Sequence, residues 1–157
     1  MKCREIIEIL ETLAPKSCAC DWDNPGLLAG RIDKNVKKIL LTLDADDAAV
    51  ARAKEIGADM LLSHHPLIFK PVKHVSDEDF IGRRLVSLIQ SDVSYYAMHT
   101  NFDILGMADL SADFLNLKDR EILEVTYSDA MRTEGLGRVG NLAQKMSLKE
   151  CADTRPA

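Results

Sequence analysis

The sequence predicts an α/β fold in which a mainly parallel sheet is flanked by helices. Three observations carry that expectation. Short apolar runs end at Leu43, Leu62 and Met98, and each has the length of a buried strand. Segments with helical spacing of apolar residues separate these runs, which gives β-α-β-α-β alternation. Polar residues with metal-ligating or acid-base chemistry follow the runs directly: Asp44 after the first, His64 and His65 after the second, His99 after the third. In an open parallel sheet, ligands bind outside the carboxyl ends of the strands, so these residues are expected along one edge.

The elements follow in order. Cys3, Ile6, Ile7, Leu10 and Leu13 recur at helical spacing, and Pro15 stops that helix. A turn-rich stretch from Cys18 to Gly26 leads into Leu27 and Leu28. Val36 to Leu43 reads as a strand, and a helix is expected from Asp47 to Ile56 with Gly57 as its C-terminal stop. Met60 to Leu62 is a short buried strand. A loop holding Pro66, Pro71 and Lys73 then leads to a helix from Asp79 to Gln90, with Ile81, Leu85, Leu88 and Ile89 on one face. Val93 to Met98 is the next strand and Met107 to Leu117 the next helix. Ser147-Leu148-Lys149-Glu150 is a capping box that announces a further helix, whose pattern Thr154-Arg155-Pro156-Ala157 does not continue.

Composition narrows the function classes. A chain of 157 residues, 46% hydrophobic and 29% charged, buries a core without staples and is neither disordered nor membrane-embedded. No apolar run approaches the roughly 20 residues of a bilayer span, and the N-terminus lacks a signal peptide's apolar region, so a cytoplasmic protein is expected. The net charge of −5 speaks against nucleic acid as a partner and leaves a small-molecule substrate. Cys3 lies on the apolar helix face, Cys18 and Cys20 form a C-x-C pair, and Cys151 stands apart. Without a second pair at zinc-ribbon spacing, these read as reduced thiols.

The chemistry concentrates in Ser63-His64-His65-Pro66 and His99-Thr100-Asn101-Phe102-Asp103. Imidazole and carboxylate together form the ligand set of a borderline transition metal. On an ideal strand His64 and His65 would face opposite ways, but Pro66 ends ladder bonding and leaves an irregular exit. The two imidazoles can then each take one ion of a metal pair, with Asp103 joining the ion that holds His65, an arrangement suited to hydrolysis. Asp44 is either a helix N-cap or a site residue. Trp22 is expected to plug its loop against the core rather than to serve as a stacking platform, and His74, Lys70 and Lys73 are expected to face solvent.

Asp21-Trp22-Asp23-Asn24-Pro25-Gly26-Leu27-Leu28, Ser63-His64-His65-Pro66-Leu67-Ile68-Phe69, His99-Thr100-Asn101-Phe102-Asp103 and Gly135-Leu136-Gly137-Arg138-Val139-Gly140 resemble, in order, motifs of the NGG-interacting-factor-three-like family. Its members are known as GTP cyclohydrolase I type 2 homologues. The resemblance implies a dinuclear centre of divalent ions (zinc, iron or manganese) with His64, His65 and Asp103 as metal ligands. It also implies a two-lobe fold assembled as a homohexamer, and a hydrolase that opens the purine ring of a nucleotide such as GTP with release of formate. His99 then acts as an acid-base residue beside the metal.

Family members complete their site with a late His-x-x-x-Glu pair, whereas no histidine follows His99 here. The chain is therefore expected to be shortened, with a metal-binding lobe at residues 1–128, the start of a second lobe at 129–157, and one ion in place of two. A non-enzymatic metal-binding scaffold or regulatory interaction protein is the alternative reading. A metallophosphoesterase ranks last, because Asp44 is its only well-placed further carboxylate.

Overall fold

The computed structural model describes residues 1–153; Thr154 to Ala157, where the helical pattern was expected to stop, lie outside the described residues. The chain forms two compact units, Met1–Asn101 and Phe102–Ala157.

In the first unit, β1 (Gly26–Ala29), β2 (Ile39–Thr42), β3 (Met60–Ser63) and β4 (Ser94–Ala97) form one sheet in the order β1-β4-β3-β2. β2, β3 and β4 run parallel, as the alternation predicts. Ile39 lies opposite Met60 and Met60 opposite Ser94; at the other end Thr42 lies opposite Ser63 and Ser63 opposite Ala97. The three strands therefore end level with one another. β1 runs antiparallel to β4, with Gly26 opposite Ala97, so the residues that precede β1 reach the same edge.

The helices α1 (Cys3–Leu13), α2 (Asp47–Glu55) and α3 (Phe80–Gln90) lie within a residue or two of the expected spans. Asp46 caps α2 by accepting the Ala49 N–H at 2.7 Å, and Asp79 caps α3 by accepting the Gly82 N–H at 2.8 Å. Val50, Ala53, Leu61, Leu88, Val93 and Tyr95 form the core between α2, α3 and the sheet. β4 is buried along its whole length because it has a strand on either side, whereas β2 is an edge strand with Leu41 73% exposed.

The strand expected from Val36 shortens to begin at Ile39 for a specific reason. The Lys37 and Lys38 N–H groups donate to the Asp59 carboxylate, at 2.8 and 3.0 Å, in place of a neighbouring strand. Asp59 immediately precedes β3, so this carboxylate ties the start of β2 to the start of β3.

The turn α4 (Thr100–Phe102) carries the chain from the first unit into the second, where a π-helical stretch, Asp103–Met107, and then α5 (Ala108–Phe114) follow. The helix expected from Met107 to Leu117 thus starts earlier and ends earlier, with Asn116 in the left-handed region at φ 52° just beyond it. β5 (Lys118–Ser128) and β6 (Thr133–Asn141) form an antiparallel hairpin, which runs across the lobe boundary expected at residues 128 and 129. Arg138 of β6 pairs with Asp109 of α5, its Nε donating at 2.8 Å. The expected capping box is present: the Ser147 N–H donates to Glu150 at 2.7 Å, the Glu150 N–H returns to Ser147 Oγ at 3.2 Å, and α6 (Leu148–Asp153) follows. No helix among the described residues is long and apolar enough to cross a membrane.

The Asp59 clamp makes a pH-dependent contribution. The backbone N–H of Lys37 holds its carboxyl below the ordinary value, opposed by desolvation and aided by the N–H of Lys38. A carboxyl lowered in the folded state stabilises fully above its unfolded pKa of about 3.9 and loses that contribution as pH falls through the folded value. Asp59→Asn should therefore cost about 1 kcal/mol in urea denaturation at pH 7, with the difference from the parent shrinking below about pH 4.

Candidate metal centre

The level ends of β2, β3 and β4 bring their following residues together. After Ser63 the backbone does not leave the sheet at once. The His64 N–H is shared between the Thr42 and Leu43 carbonyls at 3.3 and 3.2 Å, and the His65 N–H donates to Leu43 at 3.0 Å. From the core side, the Tyr95 hydroxyl and Ser63 Oγ lie 2.8 Å apart and reach the His65 carbonyl at 3.1 and 2.8 Å. The Leu67 N–H donates to the same phenol at 2.8 Å, so the irregular exit around Pro66 is wrapped on one buried hydroxyl. Burial pushes the Tyr95 phenol above its ordinary pKa and keeps the proton that this arrangement uses.

On the next strand, the Met98 N–H donates to Ser63 at 3.0 Å and the His99 N–H to the Asn101 side chain at 2.9 Å. The result is a cluster of three imidazoles. His64, His65 and His99 each offer a ring nitrogen within 4.8 Å of those of the other two, with ring centroids 4.9, 5.3 and 5.7 Å apart.

Two of the rings are oriented from behind by carboxylates. His65 Nδ1–H donates to Asp44 Oδ1 at 2.8 Å, and His99 Nδ1–H donates to Asp23 Oδ1 at 2.8 Å. Each bond holds the proton on Nδ1 and leaves the Nε2 lone pair as the donor toward a cation, the arrangement that metal-ligating histidines use. The Asp23 side chain has 0% exposure. Besides His99 it accepts the Thr100 N–H at 2.9 Å, the Thr100 hydroxyl at 2.5 Å and its neighbour Asn24 N–H at 2.7 Å. Burial pushes the Asp23 carboxyl up, but the bonds from Thr100, His99 and Asn24 together outweigh it and hold the group below the ordinary carboxylate range. The donor chemistry fits a divalent transition metal, since neutral imidazoles suit zinc, iron and similar ions.

Of the residues singled out in the sequence, the structure thus brings together His64, His65 and His99, with Asp44 behind His65. Asp44 meets His65, and the helix cap is Asp46 two positions on. Asp103 is the first residue of the π-helical stretch of the second unit, where it lines a cleft of about 440 Å³ with Met107, Leu117 and Arg138. His74, Lys70 and Lys73 are exposed as expected, His74 lying 3.7 Å from Asp79.

Trp22 corrects an expectation. It is 59% exposed rather than a plug, because the loop is held by Asp23 turned inward and its neighbour is left outside. Asp23, bonded to the His99 ring, and Tyr95, bonded to the His65 carbonyl, are the neighbours of the cluster that sequence reasoning missed. An antiparallel β1 was the signal for Asp23, but Leu27-Leu28 is too short a run to reveal strand direction.

The Duf34/NIF3 (NGG1p interacting factor 3) family matches residues 1–155, and the chain belongs to that family. It is 36% identical over 152 residues to a "GTP cyclohydrolase 1 type 2 homolog" of Clostridium perfringens, covering 96% of this chain and 57% of that protein. A protein of the same name from Methanocaldococcus jannaschii is 38% identical over 143 residues, covering 89% of this chain and 54% of the relative. Among solved structures, reduced HcgD from Methanocaldococcus jannaschii superposes with a TM-score of 0.82 at 37% identity, over 98% of this chain and 58% of its own. The Staphylococcus aureus protein SA1388 superposes with a TM-score of 0.85 at 28% identity, over 98% and 64%. The chain spans little more than half the length of these relatives.

The carboxylates behind the histidines have separable effects. Asp23→Ala strands buried donors and should cost about 3 kcal/mol of stability. Asp44→Ala, at an exposed pair, should leave stability within about 0.5 kcal/mol while weakening Zn²⁺ binding about 10-fold or more in competition titrations.

Proposed function

We propose that His64, His65 and His99 hold a divalent transition-metal ion and that the protein is a metal-dependent hydrolase opening the ring of a purine nucleotide. The convergence of three imidazole nitrogens within 4.8 Å, two of the rings braced by carboxylates, carries this reading. The names of the relatives supply the substrate class, GTP or a close analogue. In the same reading Asp103, four residues after His99, adds a carboxylate ligand on the strength of its place in the sequence pattern.

When bound, such an ion supplies Lewis acidity and lowers the pKa of a coordinated water to roughly 7. The chain's own residues do the rest. Asp23 and Asp44 keep the imidazoles in one tautomer, and the Tyr95–Ser63 pair fixes the backbone that carries His65. His99 is the third ligand or, where Asp103 takes that place, an unligated imidazole beside the ion that can move a proton at Nε2.

The same proposal places the protein in the cytoplasm as a homo-oligomer, by family resemblance a hexamer, with two ions where further ligands join the three imidazoles. A non-enzymatic metal-binding scaffold is the second reading, favoured by the donor count: the imidazole cluster alone suits one ion, and a bridged pair needs more.

Purified chain should carry on the order of one equivalent of zinc, iron or manganese, and His65→Ala should lose it. Incubation with GTP and added Mn²⁺, Zn²⁺ or Fe²⁺ should release formate, and His65→Ala should abolish the release. Tight metal binding without formate favours the scaffold. Failure to bind any of these ions removes both readings.

A further inference from the structure

Trp22 and Phe69 are large aromatic side chains left 59% and 45% exposed beside the histidine cluster. Their ring centroids are 5.9 Å apart at an interplanar angle of 56°, so they form an open angle and not a closed stack. Both rings meet His99 edge-on, at 6.1 and 6.4 Å. The space in front of the imidazoles is therefore flanked by two aromatic rings with about half their surface available.

The rings are not needed to hold their loops. The Trp22 loop is fixed by the buried Asp23 carboxylate and by the Cys20 N–H, which donates to Thr100 Oγ1 at 2.9 Å. Asn24 Nδ2 then donates to the Ile68 carbonyl at 2.7 Å and straps the Trp22 loop to the residue before Phe69. Polar bonds set the loop geometry, and the aromatic surface is displayed on a rigid support. Exposed apolar surface of this kind loses the hydrophobic gain of burial unless a ligand covers it. Aromatic rings on fixed loops also bind planar ligands at low entropic cost.

We infer that Trp22 and Phe69 form a stacking platform for the planar heteroaromatic base of the ligand, holding the base against the edge of His99. The choice of a purine as the base rests on the reading given under Proposed function; the platform itself rests on the ring geometry. Base stacking on an aromatic side chain is sequence-tolerant and uses the π face alone, so recognition of the ring separates from recognition of the phosphates.

Trp22 is the only tryptophan, so its emission reports on the platform directly. Protein with and without Zn²⁺, a d¹⁰ ion without redox chemistry, is titrated with guanosine, GTP and inorganic tripolyphosphate. Guanosine and GTP should quench Trp22 saturably, and tripolyphosphate should not. By equilibrium dialysis, Trp22→Phe should keep GTP affinity within about 3-fold, while Trp22→Leu and Phe69→Leu should each lose about 10-fold with unchanged melting temperature and unchanged Zn²⁺ uptake.

Absence of quenching by guanosine, or full GTP affinity in Trp22→Leu, overturns the platform. So does a change in mass in solution for Trp22→Leu in place of a change in affinity, which would make the patch a contact between copies. Guanosine quenching in a chain that takes up none of zinc, iron and manganese supports the platform and removes the metal-hydrolase reading. Zinc uptake without a response to the base does the reverse.

Discussion

The parallel register of β2, β3 and β4 is the constraint on which the rest depends. Thr42, Ser63 and Ala97 lie opposite one another, so the residues that leave these strands emerge at a common level. A slip of one residue in β3 would turn its side chains to the other face and carry the histidine pair with it. Burial specifies the register: β4 is enclosed by neighbours on both sides, and Leu61 and Tyr95 are packed into the core beneath α2 and α3. The geometry of the imidazole cluster is thus a consequence of hydrophobic packing some distance from it.

On that base the two carboxylates behave differently. Asp23 is fully enclosed and saturated with donors, so it is as much a structural tie between the β1 entry and the β4 exit as a support for His99. Asp44 is exposed and pairs with His65, so it orients that ring without holding the fold. The cluster therefore has a rigid side and a solvated side. A cation approaching it would meet His65 from solvent and find His99 already held by Asp23.

Much of this was legible in the chain. The strands before Asp44, His64 and His99 were marked by apolar runs, and the edge that gathers their polar successors follows from the topology of parallel sheets. The first three helices were marked by spacing and stops, and α6 by its capping box. What escaped has physical causes. β1 is four residues long, and its direction is decided by pairing with β4, which no local pattern encodes. Asp23 therefore could not be placed beside His99, and Trp22 was assigned to the core on hydrophobicity although its neighbour's hydrogen bonds set the loop. The β5–β6 hairpin was missed because its residues are mostly exposed, so the alternation that signals a half-buried strand is weak.

The Tyr95 hydroxyl joins the centre of the apolar interior to the backbone that presents His65 and Leu67. The phenol bonds both backbone groups directly, so loosening the loop breaks bonds anchored in the interior. Heating would then dissolve the interior and scatter the imidazoles in a single cooperative event, and a cation gripped there would raise the melting point of the whole first unit rather than merely quieten a loop.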